Sequence, residues 1–298
     1  MCEPVTLPFK NTTLPLTPLP TTDEIRACSN LLRDRFGGVK LVAISSEIIV
    51  KFGIAVQAYE GQVLVYLERY APGVFSPRLY AMYYDSNDLF LVMQRVPGVR
   101  LDSIWPSLTE PEKDSIVAKL RQMFDSMRQA ECPSPSFYGG LDGGSLRHYM
   151  FYSQKAESGY LGPFYSEADF VSSLTGKFRA LTEFNGRPDF KVRFYETYLG
   201  RVLQNHRPTL THGDVQQKNI IVAEDISCGK DKERSFNVTL VDWENAGWYP
   251  EFWEFFCASL PFKFVYWEDD WCWRTQEFLQ VWPAENAMMH SLENDMGC

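Results

Sequence analysis

Two short blocks of the sequence hold the side chains best suited to chemistry. Residues 211–223 read Thr-His-Gly-Asp-Val-Gln-Gln-Lys-Asn-Ile-Ile-Val-Ala, and residues 236–244 read Phe-Asn-Val-Thr-Leu-Val-Asp-Trp-Glu. Residues 220–223 and 238–241 each have the apolar run of a short strand, and the charged segment 224–235 between them suits a surface loop. Strands joined in this way pair most simply as an antiparallel hairpin. Asn219 stands just before the first strand and Asp242 just after the second, so the hairpin brings them to the same end, with Asp214 close by on the preceding turn. An Asn and an Asp converging at a strand end make a hard-oxygen site suited to Mg²⁺. A second Asp within reach serves as a base or orients a hydroxyl nucleophile. Phosphoryl transfer needs that set, together with a lysine from a separate β-rich lobe to grip nucleotide phosphates. Lys51, at the end of Ile-Ile-Val-Lys, occupies the position expected of that lysine. Glu60 on the following helix is the first candidate to pair with it and Glu68 the second. Two helical turns separate them, so only one can face Lys51.

The elements that must position these residues follow from the apolar pattern. Residues 1–22 carry Pro4, Pro8, Pro15, Pro18 and Pro20 among several threonines and read as a loose arm. Residues 22–35 read as a short helix. Residues 41–44 and 48–52, joined by Ser45-Ser46-Glu47, form a hairpin pattern, and a helix follows over 60–69 with Val63, Leu64 and Leu67 on one face. A second hairpin spans 79–84 and 89–93 across the turn Asp85-Ser86-Asn87-Asp88 and runs into the connector Arg95-Val96-Pro97-Gly98. Beyond it the pattern turns helical. Thr109 and Glu112 form a capping-box start, followed by the stripe Ile116, Leu120, Met123, Phe124 and Met127. Further helices are expected after Glu167 and over 189–205, the latter with Phe190, Phe194, Tyr198 and Val202 on one face. The stretch 243–282 holds seven of the eight tryptophans, which reads first as core packing and second as an aromatic wall for a flat substrate.

At 298 residues the chain is long enough for two lobes. With 45% hydrophobic and 22% charged residues it is an ordinary globular composition, which excludes collagen-like, disordered and disulfide-stapled classes. The net charge of −9 sets it against nucleic acid and anionic membrane surfaces as partners. The seven cysteines, at 2, 28, 132, 228, 257, 272 and 298, are odd in number and widely spaced, with no zinc-type grouping. They read as reduced thiols, which with no apolar leader in the first twenty residues points to the cytoplasm. A monomer or weak dimer is expected. The acidic run Glu268-Asp269-Asp270 reads as a solvated face, with attraction of a cationic acceptor as the alternative.

The paired blocks resemble the aminoglycoside phosphotransferase and choline kinase family. They are most similar to fungal members that carry His-Gly-Asp-x-x-x-x-Asn followed by Asp-Trp-Glu-x-Ala-Gly-x-Tyr-Pro. Here the second motif is Asp242-Trp243-Glu244-Asn245-Ala246-Gly247-Trp248-Tyr249-Pro250, continued by Glu251-Phe252-Trp253-Glu254. Further echoes are Ile49-Val50-Lys51-Phe52-Gly53, Val96-Pro97-Gly98 and Leu101-Asp102-Ser103-Ile104-Trp105, so the resemblance covers about residues 38–285. It implies an α+β, bilobal protein-kinase-like fold: an amino-terminal lobe over 23–96, small and β-rich, and a larger, mostly helical catalytic and acceptor lobe over 97–298. It implies an ATP- and Mg²⁺-dependent transfer of the γ-phosphate to a hydroxyl of a small molecule. Asp214 is then the catalytic base or the positioner of the acceptor hydroxyl, Asn219 and Asp242 the Mg²⁺ ligands, and Lys51 the contact to the α- and β-phosphates, held by Glu60. Met93, Arg95 and Val96 belong to the hinge against adenine, and His212 braces the catalytic loop. No Gly-x-Gly-x-x-Gly loop is present. Its place is taken by Ile44-Ser45-Ser46-Glu47, so that Ser45 and Ser46 are expected against the nucleotide. Gln217 and Lys218 replace the proline and small residue that often precede the metal-binding Asn; Lys218 either neutralises phosphate charge or faces solvent, the latter being favoured. Two other readings stand beside the kinase: a non-catalytic nucleotide-binding or scaffold protein, and an enzyme that transfers a nucleotidyl group.

Overall fold

The computed structural model describes residues 4–13, 18–35, 38–151, 161–225, 234–259 and 269–297. In chain order the elements are β1 (Phe9–Lys10), α1 (Thr22–Ala27), β2 (Leu31–Arg35), β3 (Val39–Ala43), β4 (Ile48–Gly53), α2 (Ala58–Tyr70), β5 (Leu79–Asp85), β6 (Asp88–Gln94), β7 (Val99–Arg100), α3 (Leu101–Ile104) and α4 (Glu110–Gln129). They continue with α5 (Glu167–Phe184), α6 (Phe190–Val202), β8 (Pro208–Thr211), β9 (Ile220–Glu224), β10 (Phe236–Leu240), β11 (Gly247–Pro250), α7 (Trp253–Ser259), α8 (Trp271–Arg274) and α9 (Pro283–Met296). Two compact units result. A sheet unit combines residues 3–119 with 217–244, and a helical unit combines 1–2, 120–216 and 245–298. Residues 97–119 and 217–244, expected with the carboxy-terminal lobe, therefore group with the amino-terminal sheet.

The sheet unit is built on a six-stranded sheet in the order β1-β5-β6-β4-β3-β2, with a second sheet β10-β9-β7. The side-chain period of two in a strand decides what each face carries. Ile48, Val50 and Phe52 of β4 join Phe90 and Val92 of β6 and Ile25 of α1 in one buried cluster. The alternate residues of β4, Ile49 and Lys51, consequently face the other side. There α2 packs, burying Val63, Leu64 and Leu67. Its approach is close: a Cβ at Gly61 would lie 2.6 Å from Met82 Sδ and 3.1 Å from Leu91 Cδ2. That contact, next to Glu60, sets the height of the helix over the sheet.

Two expectations change in this unit. The helix expected over 22–35 ends at Ala27, because Cys28 is extended (φ −66°, ψ 120°) and 31–35 pair with β3 as β2. The local pattern allowed a helix; the open sheet edge beside β3 decided otherwise. The amino-terminal arm is also tied down in part. Phe9 and Lys10 pair with Met82 and Ala81, and the buried Asn11 amide donates to the Leu79 carbonyl at 3.3 Å.

The helical unit places α5, α6, α7 and α9 around a core that includes Phe151, Phe170, Tyr195, Tyr249, Trp253 and Phe256. Trp248, Trp253 and Trp271 are buried here, as is Trp243 in the sheet unit, so core packing accounts for these four, whereas Trp273 is exposed. Trp267 and Glu268 lie outside the described residues. On α6 the packing face differs from the expected one. Val192, Tyr195 and Leu199 are buried, whereas Phe190, Phe194 and Tyr198 are 74%, 46% and 43% exposed. Helix α6 has two candidate stripes, and the inner one is favoured by a polar tether. The Tyr195 hydroxyl donates to Asp295 Oδ2 at 2.8 Å and lies 2.9 Å from Ser291 Oγ, both on α9.

Candidate active site

In the sheet unit, β9 and β10 form the expected hairpin. Ile220 pairs with Leu240, and the Val241 amide donates to the Asn219 carbonyl at 2.9 Å. Asn219 and Asp242 thus flank the same end of the strand pair. Asn219 is buried. Asp242 holds φ at +65°, a left-handed backbone that a non-glycine residue adopts at a cost of about 1 kcal/mol. The Trp243 indole N–H donates to the Leu240 carbonyl at 2.9 Å, so the turn after Asp242 is anchored by a buried side chain.

Lys51 reaches these residues across the same unit. Its Nζ donates to Glu60 Oε2 at 2.6 Å, Glu244 Oε2 at 2.9 Å and Asp242 Oδ1 at 3.2 Å. Glu60 is therefore the helix partner, while Glu68 sits 3.6 Å from the Arg78 guanidinium and accepts from the Asn11 amide. Burial by itself lowers the Lys51 pKa. The charges of Glu60, Asp242 and Glu244 outweigh burial, so Lys51 is held firmly protonated. Burial pushes the Glu60 carboxyl above its ordinary range, with Asp242 and Glu244 adding to the rise and Lys51 opposing it. Glu60, Asp242 and Glu244 each offer a carboxylate oxygen, all within 4.8 Å of one another. Lys51 is the cation among these three carboxylates, and the hard-oxygen pair whose chemistry fits Mg²⁺, the ion the resemblance implies, is Asn219 and Asp242 at the hairpin end.

Lys51, Glu60 and Asp242 line a cavity of about 370 Å³, within the range of small-ligand sites, and Glu244 reaches Lys51 from beside it. Its apolar walls include Leu41, Ile49, Leu64, Met93, Ile221 and Val241. Lys51, Glu60, Asn219 and Asp242 supply polar groups, and Arg33, Arg95, Arg100 and Lys218 contribute cations. Val96 also lines it, so the expected hinge residues Met93, Arg95 and Val96 share one cavity with the expected phosphate and metal residues. Lys218 is among the residues that line this cavity. Ser45 and Ser46 are not among its lining residues. They occupy the turn between β3 and β4, where Ser45 Oγ accepts from the Glu47 and Ile48 amides at 3.1 Å. Strands β2 and β3 contribute Leu32, Arg33 and Val39 to the lining of the cavity. The Ser45 turn is tied to the hinge: its carbonyl accepts from Arg95 Nη1 at 2.9 Å, and the Glu47 carbonyl accepts from the Arg95 amide at 2.8 Å.

Asp214 belongs to the helical unit, on the loop that leaves β8. Strand β8 is held by β11, with Thr211 paired to Gly247. Gly213 holds φ at +81°, and a Cβ there would lie 2.9 Å from the Asn245 carbonyl oxygen. His212 is fully buried, and its Nδ1 accepts from the Asp214 amide at 3.2 Å, which makes it a brace of the loop. Glu254 of α7 completes the brace: Oε2 accepts from the His212 amide at 2.6 Å and Oε1 from the Gly213 amide at 3.1 Å. Burial lifts the Glu254 pKa to about 7, against the pull of those two amides. Glu244 and Glu254 had no assigned role in the sequence. The signal for Glu254 was a lone charge inside the aromatic run Phe252-Trp253-Glu254-Phe255-Phe256.

The sequence model of the phosphotransferase enzyme family matches residues 57–282. No curated protein matches the chain. Among solved structures, the ADP-bound aminoglycoside phosphotransferase APH(2'')-Ib is 15% identical with a TM-score of 0.57, covering 90% of this chain and 84% of that one. The ternary complex of streptomycin, ATP and APH(2'')-IIa is 17% identical with a TM-score of 0.50, covering 76% and 69%. These likenesses show a kinase-like α+β fold. The family match includes both blocks, the Lys51 partner Glu60 and the Glu254 brace, and on that span the chain belongs to the phosphotransferase enzyme family.

Proposed function

We propose that this protein is a small-molecule kinase that uses ATP and Mg²⁺ to phosphorylate an alcohol group. The observation that carries the reading is the single cavity in which a carboxylate-paired lysine, a hairpin-end Asn and Asp, and the apolar strand-end residues Met93 and Val96 meet. The apolar walls suit a purine base, and Met93 to Val96 form its edge. Lys51, aligned by Glu60, contacts the α- and β-phosphates. Asn219 and Asp242 hold Mg²⁺, which supplies charge neutralisation for the transferred group. Asp214, on its braced loop, accepts the proton of the acceptor hydroxyl as that oxygen bonds to the γ-phosphorus; the bond from phosphorus to the β–γ bridging oxygen breaks, and ADP leaves. A relative holding streptomycin with ATP, and another that is an aminoglycoside phosphotransferase holding ADP, support a small-molecule acceptor. The unpaired thiols Cys28, Cys132, Cys257 and Cys272 support a reducing, cytoplasmic setting.

The test is ATP turnover against a library of small alcohols and amino sugars, with mass spectrometry of the product. A gain of one phosphate, dependent on Mg²⁺ and reduced at least a hundredfold in Asp214→Asn and in Asp242→Asn, is expected. Turnover retained in both variants, or a gain of a nucleotide monophosphate, overturns the reading. Nucleotide binding with no transfer to any acceptor favours a binding protein instead.

A further inference from the structure

The ammonium of Lys51 has three N–H donors, and three carboxylates stand within 3.2 Å of it. The group expected to grip phosphate is thus fully engaged by anions of the protein itself. Three carboxyl groups crowd one ammonium at this end of the cavity. Arg33, Arg95, Arg100 and Lys218 line the rest of the cavity, but a nucleotide phosphate that reaches Lys51 meets three carboxylates there and must take Lys51 away from one of them. A divalent cation travelling with the nucleotide offsets the first of these effects.

The three carboxylates are not equivalent. Glu60 lies on α2, whose packing on the sheet fixes it, and its side chain is 7% exposed. Asp242 is 15% exposed and held by its strained turn. Glu244, on the 3₁₀ turn Trp243–Asn245, has a side chain 41% exposed, so it alone of the three has room to leave Lys51 towards water. Its Oε2 at 2.9 Å from Nζ occupies a place in the donor shell that a phosphate oxygen needs.

We propose that Glu244 is a specificity-determining residue: it stands in for phosphate on Lys51 when the cavity is empty, and its charge makes the cavity select nucleotide complexed with a divalent cation over the free polyanion. The inference rests on the reading of this cavity as a nucleotide site. Metal-free nucleotide has to displace Glu244 with Glu60 and Asp242 still beside Lys51. The metal complex neutralises the cluster, so that Glu244 swings out and Lys51 passes to the phosphates.

The experiment is isothermal titration of the full chain with ADP, in excess EDTA and in Mg²⁺, which reads binding without turnover. In the wild type, Mg²⁺-ADP binds more tightly than free ADP. Glu244→Gln keeps the shape and removes the charge. It is expected to tighten free ADP about tenfold, the size expected for one charge roughly 5 Å away through the intermediate dielectric of a half-exposed site, and to change Mg²⁺-ADP less than threefold. The preference for the metal complex then falls about tenfold. Glu244→Ser checks that the effect follows charge and not the amide. Glu68→Gln removes an equal charge from the same unit away from Lys51 and leaves the preference unchanged. An unchanged preference in both Glu244 variants overturns the proposal. So does an equal change in Glu68→Gln, or weakened Mg²⁺-ADP with free ADP unaffected, which makes Glu244 a metal ligand only. Failure of the wild type to bind ADP in any condition overturns the nucleotide-site reading itself, a result distinct from these.

Discussion

Replacing Lys51 with methionine separates its role as a phosphate contact from its role as the cation that stabilises three carboxylates. The side chain is nearly buried, and removing it leaves Glu60, Asp242 and Glu244 with oxygens within 4.8 Å and Lys51 no longer among them. Breaking a buried pair by deleting one member costs about 3–5 kcal/mol. The reciprocal change, Glu60→Gln, leaves Lys51 with Asp242 and Glu244 at 3.2 and 2.9 Å and relieves negative charge, so about 1 kcal/mol is expected. The double variant removes the cation and one of the anions it served. Its loss should fall short of the sum of the single losses by about 1–3 kcal/mol. The pH dependence has a definite sign. In Lys51→Met the Glu60 carboxyl, already raised by burial, rises further once its cation is gone. A carboxyl whose folded pKa exceeds its unfolded value makes the folded state bind more protons, so stability falls as pH rises through the folded pKa. Lys51→Met should therefore be more destabilising at pH 8.5 than at pH 5.5, and the double variant should lose much of that dependence. Urea unfolding followed by near-ultraviolet circular dichroism at both pH values measures all four proteins. Additivity within about 0.5 kcal/mol, or a Lys51→Met penalty independent of pH, refutes the reasoning.

Four further outcomes are expected. Glu254→Ala leaves the His212 and Gly213 amides without their buried acceptor, at about 1–3 kcal/mol each in thermal or urea unfolding. Because the Glu254 pKa is raised to about 7, the wild type loses stability as pH rises from about 4.5 to 7, and Glu254→Gln should flatten that slope. Burial lowers the His148 pKa to about 3, so the unfolded chain binds the extra proton first as pH falls below about 6.5. At about 1.4 kcal/mol per pH unit this reaches about 5 kcal/mol near pH 3, and His148→Gln should remove most of it from the acid limb of an unfolding curve. Gly61→Val places a branched side chain against Met82 and Leu91, lifting α2 and loosening Glu60 from Lys51. A loss of about 1–3 kcal/mol is expected, together with weaker Mg²⁺-ADP binding by titration.

The parts of the site legible in the sequence were those that local rules determine. Chain direction alone puts Asn219 and Asp242 at one end of a hairpin. Strand alternation alone puts Lys51 opposite Val50 and Phe52, on the face where a following helix carries Glu60. The capping pair at Thr109 marks the start of α4, and the Thr109 amide donates to Glu112 Oε2 at 2.9 Å. What stayed hidden depends on partners distant in sequence. Residues 31–35 can be helix or strand, and only β3 decides. Helix α6 offers two apolar stripes, and the hydroxyl of Tyr195 chooses between them through α9. Ser45 and Ser46 precede the lysine strand in the turn from β3 to β4 and are not among the residues that line the cavity, a matter of strand order that the local motif does not carry. Glu244 gains its meaning only from Lys51, some 190 residues earlier.

The two-residue strand at Phe9–Lys10 does more than anchor the start of the chain. It occupies the outer backbone groups of β5, next to the exposed Tyr84. It also ends the sheet on a segment too short to template another, with a lysine at its tip. A chain trimmed of its first dozen residues keeps every residue that lines the cavity but uncovers the β5 edge at Ala81 and Met82 and the Leu79 and Tyr80 carbonyls that Asn11 holds. Such a shortened protein should associate edge to edge as its concentration rises, and its solubility, not its catalysis, should report the loss.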